Sequence, residues 1–262
     1  HIGMVDLPLL SSPTLKQQLS GHPAMNMTLE QLEALSETQR AQKVLVVQDP
    51  FTSFYEAKLV HDFIRLIEKL GYQPVLLPFS PNGKAQHVKG FLQRFARTAS
   101  KTADFLNRVA KLGMPMVGID PATVLCYRDE YHQMLGEARG DFNVLLVHEW
   151  LHQALQEREV QVTSGEAWYL FAHCTEVTAL PGTPGQWQAI FSRFGAKLEN
   201  INVGCCGMAG TYGHESQNLE NSLGIYALSW HPQLQKLPRQ RCLATGFSCR
   251  SQVKRVEGNG MR

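Results

Sequence analysis

A strand–helix alternation that begins at Lys43 recurs with the same plan about 125 residues further along, and no other feature restricts the fold as much. In the first copy, residues 43–47 are β-rich. Residues 54–70 place Leu59, Val60, Phe63, Ile64, Ile67 and Leu70 at a helical period, and Gly71 closes that helix. A second strand is expected over 74–77, a helix closed by Gly113 over 87–112, a third strand over 114–119, and a further strand and helix over 144–147 and 148–157. In the second copy, 168–172 takes the place of 44–48. The helix 184–194, closed by Gly195, repeats the glycine-closed helix at an offset of 124. The next strand lies within 196–203 and the next helix within 215–228. The strand 242–245 runs into 246–249 as 116–119 runs into 120–123, at an offset of 126. This pattern predicts an α/β fold made of two tandem, pseudo-duplicated α/β units with mainly parallel sheets. The expected organisation is a leader or linker over 1–42, with a helix over 29–40 capped by Thr28, a first unit over 43–160 and a second over 161–262.

Composition narrows the function classes. The 262 residues, 44% hydrophobic and 18% charged, supply one large core or two smaller ones and exclude collagen, coiled coil and wholesale disorder. Apolar runs such as 144–147 fall far short of the ~20 residues that cross a bilayer. No basic segment followed by an apolar stretch marks a secretory leader, so a cytoplasmic location, at most peripheral to a membrane, is expected. A formal net charge of +2 argues against nucleic acid as a partner. One local bias stands out: Lys236, Arg239, Arg241, Arg250, Lys254, Arg255 and Arg262 accompany Glu257 alone. It reads as a solvated tail, with a docking face or cations near a buried anion as the alternative. The chain opens at His1 and ends in a loop-like composition, which reads as a segment excised from a longer protein.

The two copies differ in their cysteines. Cys174 follows the first strand of copy two, where copy one has Asp49-Pro50-Phe51-Thr52. Cys205-Cys206 follows the second strand, where copy one has Phe79-Ser80-Pro81-Asn82. Cys249 follows the third, where copy one has Thr123. Ligands collect at the carboxyl ends of strands in an open parallel sheet, so three strand-end loops can deliver four thiolates to one place. In a reducing compartment a disulfide framework is disfavoured. Thiolates suit zinc or an iron–sulfur cluster, and spacing alone does not choose between them. Structural zinc usually takes knuckles of two cysteines two to four residues apart, and none is present; adjacent cysteines diverge and suit a larger cluster. Cys126 and Cys242 are weaker candidates. The loop Gly204-Cys205-Cys206-Gly207-Met208-Ala209-Gly210-Thr211-Tyr212-Gly213 supplies glycines, with Gly207 and Gly210 as candidate cofactor-binding positions, that let backbone N–H groups approach sulfur closely.

These residues resemble a known family. The 204–213 loop with Cys174 upstream is similar to the cysteine-rich CCG domain of heterodisulfide reductase subunits, glycolate oxidase iron–sulfur subunits and anaerobic glycerol-3-phosphate dehydrogenase subunits. His173-Cys174 resembles the first ligand segment and Cys249-Arg250-Ser251-Gln252-Val253 the last. Where that family has two cysteines separated by two residues, this chain has Gly246-Phe247-Ser248-Cys249. Gly118-Ile119-Asp120-Pro121-Ala122-Thr123 and Arg128-Asp129-Glu130-Tyr131 resemble the first-repeat segment of the C-terminal region of bacterial FAD-linked oxidases, in which a cysteine commonly replaces Thr123. The resemblance covers nearly all of 43–262 and is greatest to the D-2-hydroxyglutarate-oxidising members, relatives of the D-lactate dehydrogenases. It implies a [4Fe–4S] cluster on Cys174, Cys205, Cys206 and Cys249. It also implies FAD on a flavin domain elsewhere in the polypeptide, and relay of electrons from oxidation of a D-2-hydroxy acid to an unidentified acceptor. The isolated fragment is then inactive, and the first copy is structural or an interface to the flavin domain. No dinucleotide fingerprint or P-loop occurs in the chain itself.

The alternatives are a structural-zinc module, a thiol or heterodisulfide-reducing centre, and a zinc peptidase. The last rests on His148-Glu149-Trp150-Leu151-His152, which sets two histidines one helical turn apart with Glu149 as general base. A packed helix is the competing explanation. Tyr131, His132 and Met134 read as surface or helix-packing residues, and Arg128, Asp129 and Glu130 as a local ion-pair network.

Overall fold

A computed structural model describes residues 3–25, 27–156 and 165–261. The chain forms two compact units, one of Leu9–Trp150 and the other of Leu151–Arg262 with the short segment that precedes Leu9. The expected division between 160 and 161 lies outside the described residues, as does the end of the predicted 148–157 helix.

The first unit holds a four-stranded parallel sheet in the order β2-β1-β3-β4, with β1 Lys43–Val47, β2 Gln73–Leu76, β3 Met116–Gly118 and β4 Val144–Leu146. Val44, Leu45 and Val46 are wholly buried, as befits a strand covered on both faces. Helices start where the sequence supplies caps. Asp49 accepts hydrogen bonds from the Phe51 and Thr52 N–H groups, and Pro50 occupies the first position of Pro50–Tyr55. Asp120 caps Pro121–Arg128 in the same way. The helix Ala57–Lys69 buries Ala57, Val60, Phe63, Ile64 and Ile67. The single helix expected over 87–112 is two, Lys84–Val88 and Leu92–Ala110, because Gly90 takes φ +77° between them. Within the segment read as a leader, Leu15, Leu19 and Leu32 are buried, and Thr28 and Gln31 form a capping box at Leu29–Glu33.

The second unit holds a three-stranded parallel sheet in the order β6-β5-β7, with β5 Ala167–Phe171, β6 Lys197–Asn200 and β7 Cys242–Ala244. The sequence offset maps β1, β2 and β3 onto β5, β6 and β7, and the strand order is the same in both units. Phe171, Met208, Tyr226, Trp230, Leu234, Ala244 and Val253 form the core of this unit with Cys206, Cys242 and Cys249. The helix expected at 215–228 begins later and runs further, over Leu219–Leu234. The N-terminal segment joins this unit: Met4 bridges to Glu215 in antiparallel fashion, Val5 N donates to His214 O at 2.8 Å, and Ser216 N donates to Gly3 O at 2.8 Å. Asp6 pairs with Arg255 and with His214 Nδ1 at 2.9 Å. Burial raises the Asp6 pKa, but its hydrogen bonds to Arg255 and His214 outweigh that and hold it below the usual carboxylate value. Among the described residues no helix is long and apolar enough to cross a membrane.

Candidate metal centre

Each cysteine of the predicted set sits where a parallel strand ends. Beyond β5, His173 caps the helix Cys174–Ala179, which opens on Cys174. Beyond β6, an irregular loop carries Cys205 and Cys206. Beyond β7, Gly246 caps the helix Phe247–Glu257, with Cys249 in its first turn. The parallel arrangement puts these ends on one edge of the sheet, and the thiols meet there. Cys205 hydrogen-bonds with Cys174 and with Cys206, and Cys206 with Cys249. The row runs from solvent inward: Cys205 is exposed, Cys174 half-buried, Cys206 and Cys249 buried. Among the described residues no group of three or more His, Cys, Asp or Glu side chains is arranged to hold a metal ion. The four sulfurs are ordered pairwise along this row.

Electrostatics make the sulfurs unequal. Hydrogen bonds from Cys174 and Cys206, and from the Gly207 N–H at 3.3 Å, hold the Cys205 thiol far below its usual pKa, against a smaller opposing effect of partial desolvation. The hydrogen bond to Cys205 and burial push Cys174 up; hydrogen bonds to Cys205 and Cys249, then burial, push Cys206 up. Negative charge on this row is thus favoured at Cys205 over Cys174 and Cys206, and loading the row with a metal would displace protons.

The loop around the cysteine pair is built for close approach. Gly207 has φ +84°, and a Cβ there would lie 2.2 Å from the Ser222 carbonyl oxygen. Gly204 is held from both sides, its N–H donating to Ser229 Oγ at 3.1 Å and its carbonyl accepting from Trp230 Nε1 at 2.9 Å. The Gly210 N–H donates to Ser248 Oγ at 3.1 Å, which ties the loop to the helix bearing Cys249. Immediately before Cys174, His173 Nδ1 is buried without a hydrogen-bond partner. Four thiols at strand ends, a loop in which Gly207 excludes a Cβ and an orphaned imidazole nitrogen gather at this edge, and their donor chemistry is that of a thiolate-held inorganic group. Sequence reasoning named His173 only within a resemblance; its signal was its place immediately before the first cysteine at a strand end.

Cys242 stands apart from this row. Its Sγ reaches the Pro238 carbonyl at 3.5 Å, and burial pushes its pKa up to about 11. Cys126 belongs to the first unit, where burial pushes it up to about 12. In the first unit the matching positions carry other chemistry. Asn82 and Gly83 stand where the second unit has Cys206 and Gly207, and both glycines have positive φ. Asn82 Oδ1 accepts from the Lys84 N–H at 2.8 Å, and Thr123, in the place of Cys249, hydrogen-bonds to Asp120. These groups are engaged in starting their own helices.

The peptidase-like motif is structural. On the helix Val147–Ala154, Glu149 accepts from Arg128 at 2.9 and 2.5 Å and from the Leu146 N–H at 2.8 Å. Burial raises its pKa, but these partners outweigh it and hold the group below the usual carboxylate value. A carboxylate bound to a guanidinium is a poor general base for water. His148 is buried, and Trp150 packs edge-on against Phe63. Of the expected ion-pair cluster, Arg128 pairs with Glu149 and Glu130 with Lys84, while Tyr131 is wholly buried and donates to Asn82 O at 2.8 Å. The basic C-terminal stretch is not a free cationic face throughout: Arg239 binds Glu257, Arg241 binds Glu166, and Arg255 binds Asp6.

Comparison with known proteins places the chain. It is 74% identical over 262 residues to a D-2-hydroxyglutarate dehydrogenase of Escherichia coli strain K12, covering 100% of this chain and 26% of that protein. It is 54% identical to a protein of the same name from Haemophilus influenzae, with 98% and 26% covered. Identity is 43% to one from Pseudomonas putida, with 100% and 25% covered. The chain thus spans about a quarter of the length of these relatives. No protein-family profile matches it. A crystal structure of a hypothetical protein from Helicobacter pylori shares the fold, with a TM-score of 0.52, 9% identity, and 83% of this chain and 44% of that one covered.

Proposed function

We propose, from the premise that this chain is a homologue of a quarter-length segment of the D-2-hydroxyglutarate dehydrogenases, that it is the electron-relay part of such an enzyme. In this reading Cys174, Cys205, Cys206 and Cys249 hold an iron–sulfur cluster of the [4Fe–4S] type. The cluster would carry single electrons between an FAD on a separate flavin domain of the same polypeptide and an acceptor. Oxidation of the D-2-hydroxy acid, D-2-hydroxyglutarate on the relatives' name, belongs to that flavin domain. The observation that carries the reading is the row of four thiols at three strand ends. An adjacent pair of cysteines suits a multi-metal centre, which offers each sulfur its own metal, better than one ion.

The chain's own residues would do the following. Cys205 offers a thiolate at the exposed end of the row, and Cys206 and Cys249 anchor the buried end. Gly207 lets the loop pack on the Ser222 carbonyl, the Gly210 N–H ties it to Ser248, and the Trp230 and Ser229 contacts hold the loop in place. The test is anaerobic purification of the full-length enzyme with iron and acid-labile sulfide analysis. Cys206→Ser is expected to lose iron and sulfide, to keep flavin reduction by substrate, and to lose electron delivery to an external acceptor. Stoichiometric zinc without sulfide would replace this reading with a structural-zinc module.

A further inference from the structure

His173 is held in a way the fold alone does not require. The residue is 7% exposed, and its Nδ1 is buried with no partner. Leaving a buried polar group unpaired is unfavourable. The backbone on either side is nonetheless fixed firmly. His173 N donates to Thr245 Oγ1 at 2.9 Å, and Thr245 Oγ1 donates to the buried Glu176 carboxylate at 2.5 Å. The ring lies against Gly246, where an added Cβ would come within 2.2 Å of its Cδ2. Gly246 caps the helix that carries Cys249, and Cys174 follows His173 directly. The imidazole therefore sits between the attachment points of two of the four cysteines, and its electrostatic influence reaches the sulfur of Cys205.

We propose that His173 is a positioning residue whose Nδ1–H donates a hydrogen bond to the sulfur-held centre and so sets its reduction potential. The proposal rests on the reading that the four cysteines hold an iron–sulfur cluster. The orphaned nitrogen then has its partner in the group that the cysteines bind. Hydrogen bonds to the sulfurs are among the principal determinants of such potentials. A donor stabilises the more negative, reduced state, so His173 raises the potential.

The experiment uses the full-length enzyme, purified anaerobically and labelled with ¹⁵N-histidine. Pulsed electron paramagnetic resonance of the reduced centre is expected to show a weak ¹⁵N coupling, absent from His173→Leu. His173→Leu is expected to keep its iron and sulfide and to shift the midpoint potential to more negative values. His173→Gln, which restores an N–H donor, is expected to recover part of that shift. No ¹⁵N coupling in the loaded unaltered enzyme overturns the proposal, as does an unchanged potential in His173→Leu. A strong coupling typical of a directly bonded nitrogen, or selective loss of iron from His173→Leu, makes His173 a ligand and also overturns it. The labelled unaltered enzyme decides the matter if the leucine variant does not fold. Absence of iron and sulfide from the unaltered enzyme would fell both this proposal and the cluster reading, whereas a loaded enzyme without the coupling fells this one alone.

Discussion

Replacing Asp49 by asparagine should make the chain's stability less sensitive to pH. The Asp49 carboxyl is 2% exposed, and burial first, then the charge of Asp120, raises its pKa from 3.8 to about 7. In the unfolded chain the group ionises near pH 4, while in the folded chain it keeps its proton to about pH 7. The raised value therefore costs stability as pH rises: nothing below pH 4, then ~1.4 kcal/mol for each pH unit up to about 7. Over the whole window this is on the order of 4 kcal/mol, and over the part between pH 5 and 8 it is about 2–3 kcal/mol. Asparagine keeps the cap, because Oδ1 still accepts from the Phe51 and Thr52 N–H groups, now at 2.8 and 2.9 Å. Its amide nitrogen can donate to Thr52 Oγ1, which donates to Asp49 Oδ2 in the native chain. Urea unfolding followed by circular dichroism at pH 5 and pH 8 measures the effect. Asp49→Asn should exceed the native chain by about 1–2 kcal/mol at pH 5 and by about 4 kcal/mol at pH 8, so that its advantage grows by about 2–3 kcal/mol between the two. An equal stability difference at both pH values would refute the reasoning, since titration of this carboxyl would then contribute nothing.

Other outcomes follow from the second unit. Gly207→Ala should destabilise the chain by about 2 kcal/mol or more, because φ +84° and the Ser222 carbonyl both oppose a Cβ. Gly210→Ala, where the space is open, should cost about 1 kcal/mol through its positive φ alone; thermal unfolding compares the two. Trp230→Phe removes the hydrogen bond to the Gly204 carbonyl and should cost about 1 kcal/mol, measured by urea unfolding. Cys242→Ala should leave the iron content of the full-length enzyme unchanged while Cys249→Ser lowers it, and elemental analysis separates them. His148→Ala should likewise leave metal content unaltered.

Periodic burial made the strands legible in the sequence. Residues 43–47 and 242–245 are short β-rich runs, and β1 and β7 form within a residue of those limits. The gathering of four cysteines at one edge of the sheet was legible because the duplication set Cys174, Cys205-Cys206 and Cys249 against residues 49–52, 79–82 and Thr123 of the first copy. Helix interruptions were less so. Gly90 and Glu56 stop helices through single backbone angles that apolar periodicity does not register. His173 was legible only through the resemblance of His173-Cys174 to a ligand segment, because a lone histidine carries no pattern and its unpaired nitrogen shows only in the structure. Asp6 was beyond reach for another reason. It meets His214 and Arg255 across more than 200 residues of chain, and a pairing of that range leaves no local mark.

The thread of Gly3–Asp6 against His214–Ser216 makes the cysteine-bearing unit discontinuous in sequence: the polypeptide contributes to it, departs to build an entire neighbour, and returns. A recombinant piece cut after residue 164 would therefore lack the segment that pairs with His214–Ser216 just beyond its own cysteine loop, with Arg255 deprived of its acidic counterpart. Grafting those few N-terminal residues back through a short glycine–serine tether is the natural remedy for anyone who wants the half-molecule by itself.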